Sequence, residues 1–177
     1  MPGDLDGSIQ RFKTELKRRI DPWITRGLPS RQALDTSADE LLRWKAIHGV
    51  AGLWPRRPLM LTATLDDGIG QGLKIIQRYA DILGIDIVSL GLLQDPEAIL
   101  AACRKHEPDF LGLTILQLDS DDDLCRVGHG LPSKTLLIAG GPVFKFDPEM
   151  AERCKVGYVA RDVAFFIEFL LDWSSGP

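Results

Sequence analysis

The feature that most limits what this chain can fold into lies between Pro58 and Trp173, where short apolar runs alternate strictly with amphipathic segments. The runs are Leu59–Leu65, Ile85–Leu90, Phe110–Leu116, Thr135–Ala139 and Val156–Val159. Each is short, bounded by turn residues and rich in Leu, Ile or Val, which is the pattern of a strand buried on both faces. Between them the spacing predicts helices over 70–83, 95–105, 121–128 and 147–154, with a last one over 162–173. Neighbouring parallel strands need long crossovers, so the alternation predicts an α/β fold with a doubly wound five-stranded parallel sheet of order 2-1-3-4-5. Local signals agree: Gly84 stands where a helix C-cap glycine belongs, and Asp95-Pro96 and Asp147-Pro148 read as N-caps followed by proline.

Residues 1–57 have no such alternation and read as a short N-terminal helical extension or cap on the domain at 58–177. Ile9, Phe12, Leu16 and Ile20 recur at helical spacing over Ser8–Ile20, and Asp21-Pro22 is expected to stop that helix. Gly27, Pro29 and Ser30 mark a break. Ser37 with Glu40 three residues later forms a capping box, so a second helix is expected from there to Trp54-Pro55, carrying Leu41, Leu42, Trp44 and Ile47.

A net charge of -4 and pI near 5.4 provide no field for a polyanion, so nucleic acid is not an expected direct partner, despite Lys17, Arg18 and Arg19. No apolar run approaches the roughly 18 residues of a membrane span, and Met1–Gln10 is too polar for a secretory signal, so a cytoplasmic protein without membrane contact is expected. Cys103, Cys125 and Cys154 are odd in number and lack CxxC spacing. That argues against a disulfide framework and a structural zinc, and leaves each as a small apolar filler.

In an open parallel sheet a ligand sits beyond the carboxyl ends of the strands at the switch point, here above the first, third and fourth strands. The first loop, Asp66 to Gly72, contains three glycines that admit close backbone approach. The third strand ends in Thr114-Ile115-Leu116 and the fourth in Gly140-Gly141. Taken singly, these are ordinary turn and strand residues. Together they describe a mouth lined by small residues, suited to something large and flat or long.

In order and spacing these segments resemble the cobalamin-binding domain family, a flavodoxin-like family with a DxHxxG loop after the first strand, SxL at the end of the third and GG after the fourth. Asp67-Gly68-Ile69-Gly70 falls where the family has H-D-I-G, Thr114-Ile115-Leu116 replaces SxL, and Gly140-Gly141 matches GG. Gly157-Tyr158-Val159-Ala160-Arg161-Asp162 is similar to the family's G-Y-x-x-D segment, so the likeness spans roughly 58–173. It implies a corrinoid held by Asp67, Gly68, Ile69, Gly70, Thr114, Leu116, Gly140 and Gly141, with its tail threading between the first loop and Gly140-Gly141. It also implies a helix covering the macrocycle, to which Trp44 and His48, four residues apart on one helix face, are candidates.

One departure matters. The family's cobalt-ligating histidine is Asp67 here, and the residue that orients it is Leu65. A carboxylate is a hard donor and a poor substitute for imidazole, so a bound cobalamin is expected base-on, or with another histidine on the metal. His48 is the candidate metal ligand, although an interface histidine beside a core tryptophan is the plainer reading. Cys125 and His129 offer only two donors, and His106 precedes the third strand at the wrong edge.

Other classes fare worse or remain open. A phosphoacceptor receiver would need an aspartate where Thr114 stands and a lysine near Val159-Ala160. Haem is an alternative cofactor whose axial donor could be His48, His129 or Cys125. No catalytic constellation is visible, so no enzyme activity is expected. The expected function is a cobalamin-binding sensor or regulator acting through a protein partner. The alternatives are a corrinoid carrier subunit of a methyltransferase or mutase, a haem-binding sensor, or a ligand-free interaction module.

Overall fold

Side chains of successive strand residues point to opposite faces, so a run apolar throughout needs cover on both sides. The computed structural model, which describes residues 2–67 and 71–174 with side chains from Asp6 onward, satisfies that demand. Its strands are β1 (Leu59–Thr64), β2 (Asp86–Gly91), β3 (Phe110–Thr114), β4 (Leu136–Gly140) and β5 (Tyr158–Val159). They pair in parallel in the order β2-β1-β3-β4-β5. The helices are α1 (Pro2–Arg26), α2 (Arg31–His48), α3 (Gln71–Leu83), α4 (Pro96–His106), α5 (Asp121–Gly130), the single turns α6 (Val143–Phe146) and α7 (Met150–Arg153), and α8 (Val163–Asp172). Met60, Phe110 and Ile138 face the core beneath α3 and α8, while Leu61, Leu111 and Leu137 face the core beneath α4 and α5. The expected fold and strand order are present.

The N-terminal helices differ from expectation at Pro22 and at both ends of α2, which stops at His48 with Gly49 as its cap rather than near Trp54-Pro55. Helix α1 runs straight through Pro22. The proline removes only the hydrogen bond to the carbonyl four residues back, on a face open to water, while Ile20 and Trp23 beside it anchor the last turns to the core. Helix α2 begins at Arg31, because Ser30 accepts the Ala33 amide at 3.2 Å and is the true N-cap. Ser37 and Glu40 lie within the helix, where both meet the Arg19 guanidinium. Both helices share one core with the sheet: Phe12, Leu16, Leu34 and Leu41 cluster with Tyr79, Ile82 and Phe166. The Tyr79 hydroxyl donates to the Leu34 carbonyl at 2.8 Å, fully buried.

The cysteine expectation also fails. Cys125 on α5 and Cys154 just after α7 are joined as a disulfide. Separation along the chain concealed their proximity, which Gly128 permits: a Cβ there would collide with the Cys154 carbonyl. Cys103 alone matches the filler reading, buried on α4 with its thiol pushed up to about 11 by desolvation. Among the described residues, no helix is long and apolar enough to cross a membrane.

Tyr79→Phe leaves the Leu34 carbonyl without its buried donor and is expected to destabilise the fold by about 1–2 kcal/mol in urea denaturation. The loss should appear in one transition that reports on helix and sheet together; a separate early transition for the N-terminal helices would contradict a shared core. Glu15 provides a pH test. Hydrogen bonds from Arg18 and Arg19 outweigh desolvation and hold its carboxyl at about 2, against an ordinary 4.5. A lowered folded pKa means stabilisation that is complete above 4.5 and lost as pH falls toward 2, so Glu15→Gln should flatten that part of the acid limb of a stability–pH curve.

Candidate functional site

Side chains are small where three strands end together, and the space they leave is a cavity of about 380 Å³ opening on the carboxyl edge of the sheet. Its floor is the α3 and α8 face of the sheet at Met60, Gly112 and Ile138, and its walls include Ile75 and Phe166. Thr114, Leu116, Gly140 and Gly141 all line it, so four of the predicted residues from two loops converge. The Thr114 hydroxyl is half-buried and, among the described residues, makes no hydrogen bond, which leaves it available to a ligand.

The glycines have separate reasons. Gly141 adopts φ +126°, where a side chain is strained, and a Cβ would collide with the Ile115 carbonyl. Gly72, in the first turn of α3, also lines the cavity, but a Cβ there would meet nothing within 4 Å. Only the open space beside it is at stake at that position.

The loop after β1 is held by a residue the sequence reading passed over. Asp66 is buried, and its Oδ2 accepts the Leu116 amide at 2.7 Å and the Gln117 amide at 3.2 Å. This ties the end of β1 to the end of β3. Thr64 reinforces the bend by donating its hydroxyl to the Asp66 carbonyl at 2.8 Å and accepting the Leu93 amide at 3.0 Å. Asp67 lies at the same edge but faces solvent, with its Oδ1 accepting from Gln117 Nε2 at 2.9 Å. Gly68, Ile69 and Gly70 lie outside the described residues.

Trp44 and His48 are not brought to this mouth. Arg31 at the start of α2 donates to the Gln71 carbonyl at the top of α3, whereas Lys45 donates to the Ile82 carbonyl at its bottom. The end of α2 therefore lies at the amino edge of the sheet. His48 stacks on Trp44 with ring centroids 3.9 Å apart and donates Nδ1–H to the Trp44 carbonyl at 2.8 Å, and Trp44 stacks on Phe12. The helical spacing was read correctly; the direction of the helix was not visible in it. His106 and His129, at the ends of α4 and α5, also lie at the amino edge. No cluster of three or more metal-ligating side chains occurs among the described residues.

A ligand cavity at the carboxyl edge, walled by small residues after β1, β3 and β4, accords with a match of the B12 binding domain profile to residues 58–165, more than half of the chain. The chain belongs to the B12-binding domain family.

Among solved structures, the chain is similar to a cobalamin-binding protein from Desulfitobacterium hafniense DCB-2, with TM-score 0.78, 15% identity, and coverage of 96% of this chain and 84% of that one. It is similar to the monomethylamine corrinoid protein of Methanosarcina barkeri, with TM-score 0.60, 18% identity, and coverage of 91% and 79%. It is also similar to the methanol:cobalamin methyltransferase complex MtaBC of Methanosarcina barkeri, with TM-score 0.62, 18% identity, and coverage of 97% and 69%. At these identities the likeness is one of fold. A search of curated proteins by sequence finds no match.

Within this B12-binding domain the cavity, lined mostly by apolar residues and by Gly72, Gly112, Gly140 and Gly141, fits the tail of a corrinoid. The lower-ligand position does not suit cobalt, because Asp67 brings a carboxylate already engaged by Gln117. Two cations that spacing had not singled out, Lys145 on α6 and Arg161 after β5, stand at the cavity mouth. Proximity to Gly140-Gly141 and to the Gly157–Asp162 segment was the only sequence signal for them.

Asp66→Ala removes the acceptor of two amides at once and is expected to cost about 2 kcal/mol of stability, read as a lowered denaturant midpoint. Hydrogen exchange should quicken at Leu116 and Gln117 and remain unchanged in α4.

Proposed function

We propose that this chain holds a corrinoid at the carboxyl edge of its sheet and carries it for a protein partner, with no catalytic step of its own. The observation that carries this reading is the cavity of about 380 Å³ bounded by Gly72, Thr114, Gly140 and Gly141, at the edge on which a macrocycle would rest. In this reading the glycines let the tail pass, the Thr114 hydroxyl hydrogen-bonds to it, and the walls exclude water. A bound corrinoid supplies organometallic chemistry that no side chain here replaces.

Tail insertion bears on the base-on expectation. A base seated in the cavity is removed from cobalt, so the two arrangements exclude each other, and the cavity favours base-off. Asp67, rather than a histidine, would then stand at the family's lower-ligand position.

A partner is supported by what surrounds the mouth. Helices α1 and α2 are spent on the outer side of α3 and α8, and the loops at the edge present exposed Leu92, Leu93, Leu118 and Phe146. An apolar rim of this kind is suited to being covered by another surface. The chain is similar to a methanol:cobalamin methyltransferase complex and to a corrinoid protein, which favours the carrier over the regulator. The regulator remains the second reading because of Asp67, since a methyl carrier benefits from the histidine absent here. Haem has little support, because His48, His106 and His129 lie at the far edge and Cys125 is in a disulfide.

Hydroxocobalamin added to the protein is expected to survive desalting with a base-off absorption spectrum. Gly72→Leu fills the open space beside α3 and should abolish retention while the melting temperature stays the same or rises, since a glycine within a helix is replaced. Equal retention by this variant would remove the cavity from the reading.

A further inference from the structure

The connection between β4 and β5 is built unlike the others. Each earlier crossover is carried by a helix, of 13 residues in α3, 11 in α4 and 10 in α5, whereas residues 141–157 hold only the four-residue turns α6 and α7. A single helical turn fixes several dihedrals for very few hydrogen bonds and has little stability of its own. Contacts with the rest of the domain hold this crossover instead. Val143, Phe144 and Met150 are buried in the core beneath α4 and α5, and Cys154 is bonded to Cys125 on α5. The bond adjoins the tightest bend of the crossover. Lys155, the next residue, takes φ +53°, which a residue with a Cβ adopts unfavourably, and the amides of Cys154, Lys155 and Val156 donate back to the Met150, Glu152 and Ala151 carbonyls.

The same bond can open and close with little disturbance around it. Cys125 is half-buried and Cys154 wholly buried, so a small thiol attacks from the Cys125 side. Cys154 Sγ lies 3.6 Å from the Asp121 carbonyl oxygen, so a thiol released there has an acceptor in place. Gly128 lets the Cys154 carbonyl seat against α5 by packing alone, which keeps a reduced pair side by side.

We propose that Cys125–Cys154 is a thiol–disulfide switch that sets how firmly the β4–β5 crossover is held. A glutathione thiolate attacks the Cys125 sulfur: the bond between the two cysteines breaks, a mixed disulfide forms on Cys125, and Cys154 leaves as a thiolate that takes up a proton. A second glutathione thiolate attacks the glutathione sulfur of the mixed disulfide, which forms oxidised glutathione and frees Cys125 as a thiolate that is protonated in turn. Two electrons pass from two glutathiones to the protein, and oxidised glutathione reverses both steps. The loop closed by the bond runs from Cys125 to Cys154 and contains β4, Gly140-Gly141, Pro142 and Lys145, the last four of which line the cavity. In the reduced protein that wall is held by packing alone. The consequence for a ligand rests on the corrinoid reading above; the loosening of the crossover does not.

The full chain is equilibrated in glutathione buffers, alkylated under denaturing conditions and weighed by mass spectrometry. The oxidised form takes one alkyl group, at Cys103, and the reduced form takes three. The expected result is reversible passage between the two as millimolar glutathione is changed from oxidised to reduced. Hydrogen exchange at Cys154, Lys155 and Val156 should be about tenfold faster in the reduced form and unchanged in α8. The double variant Cys125→Ser, Cys154→Ser should exchange like the reduced form and release hydroxocobalamin several-fold faster than the oxidised protein. Three alkyl groups in every buffer would overturn the bond, and one in every buffer would make it a fixed brace and overturn the switch. Equal exchange in the two forms would overturn its hold on the crossover. Equal release of hydroxocobalamin would overturn the consequence for the ligand, whereas binding by neither protein would overturn the corrinoid reading and leave the exchange result to decide the switch.

Discussion

The structure on one side of the sheet is organised by the burial of α8. Ala164, Phe166, Ile167 and Leu170 on this helix are inaccessible to solvent, and Val163 and Leu171 nearly so. A helix buried over most of its circumference needs a surface on two sides, and α8 leaves only Glu168 and Asp172 exposed. One surface is the sheet with α3, and the other is α1, whose Phe12, Leu16 and Ile20 are as deeply buried. The N-terminal extension therefore completes the domain that follows it, and α8 is fixed firmly enough for Val163 and Phe166 to wall the cavity.

Against that background the edge reads as a division of labour between rigid and open elements. Asp66 ties the ends of β1 and β3 together with a carboxylate that accepts two amides, and charge-assisted bonds of this kind hold geometry well. Gly141 lets the chain turn tightly against the Ile115 carbonyl. Between these fixed points the cavity persists because Gly72, Gly112 and Gly140 contribute no side chains to fill it.

The sheet was legible in the sequence because parallel strands buried on both faces leave continuous apolar runs that few other arrangements produce. Thr114, Leu116, Gly140 and Gly141 were legible for a related reason: strand ends fix where loops go, so residues at those ends meet in space. What the sequence did not reveal depended on three-dimensional direction. Trp44 and His48 share a helix face, but only the contacts of Arg31 and Lys45 with the two ends of α3 determine which edge that face reaches. The Ser37–Glu40 pair imitates a capping box because the same two side chains serve Arg19. Pro22 was overridden by the anchoring of its neighbours. Asp66 stands next to Asp67, and nothing local distinguished the buried carboxylate from the exposed one.

The placement of α1 and α2 behind the domain also has a kinetic meaning. A roof over the carboxyl edge would make arrival and departure wait on its opening. Here α1 and α2 pack on the outer side of α3 and α8, and of the described N-terminal residues Leu28, in the link between the two helices, lines the cavity. A ligand seated at the edge as proposed would then come and go without either helix having to unfold.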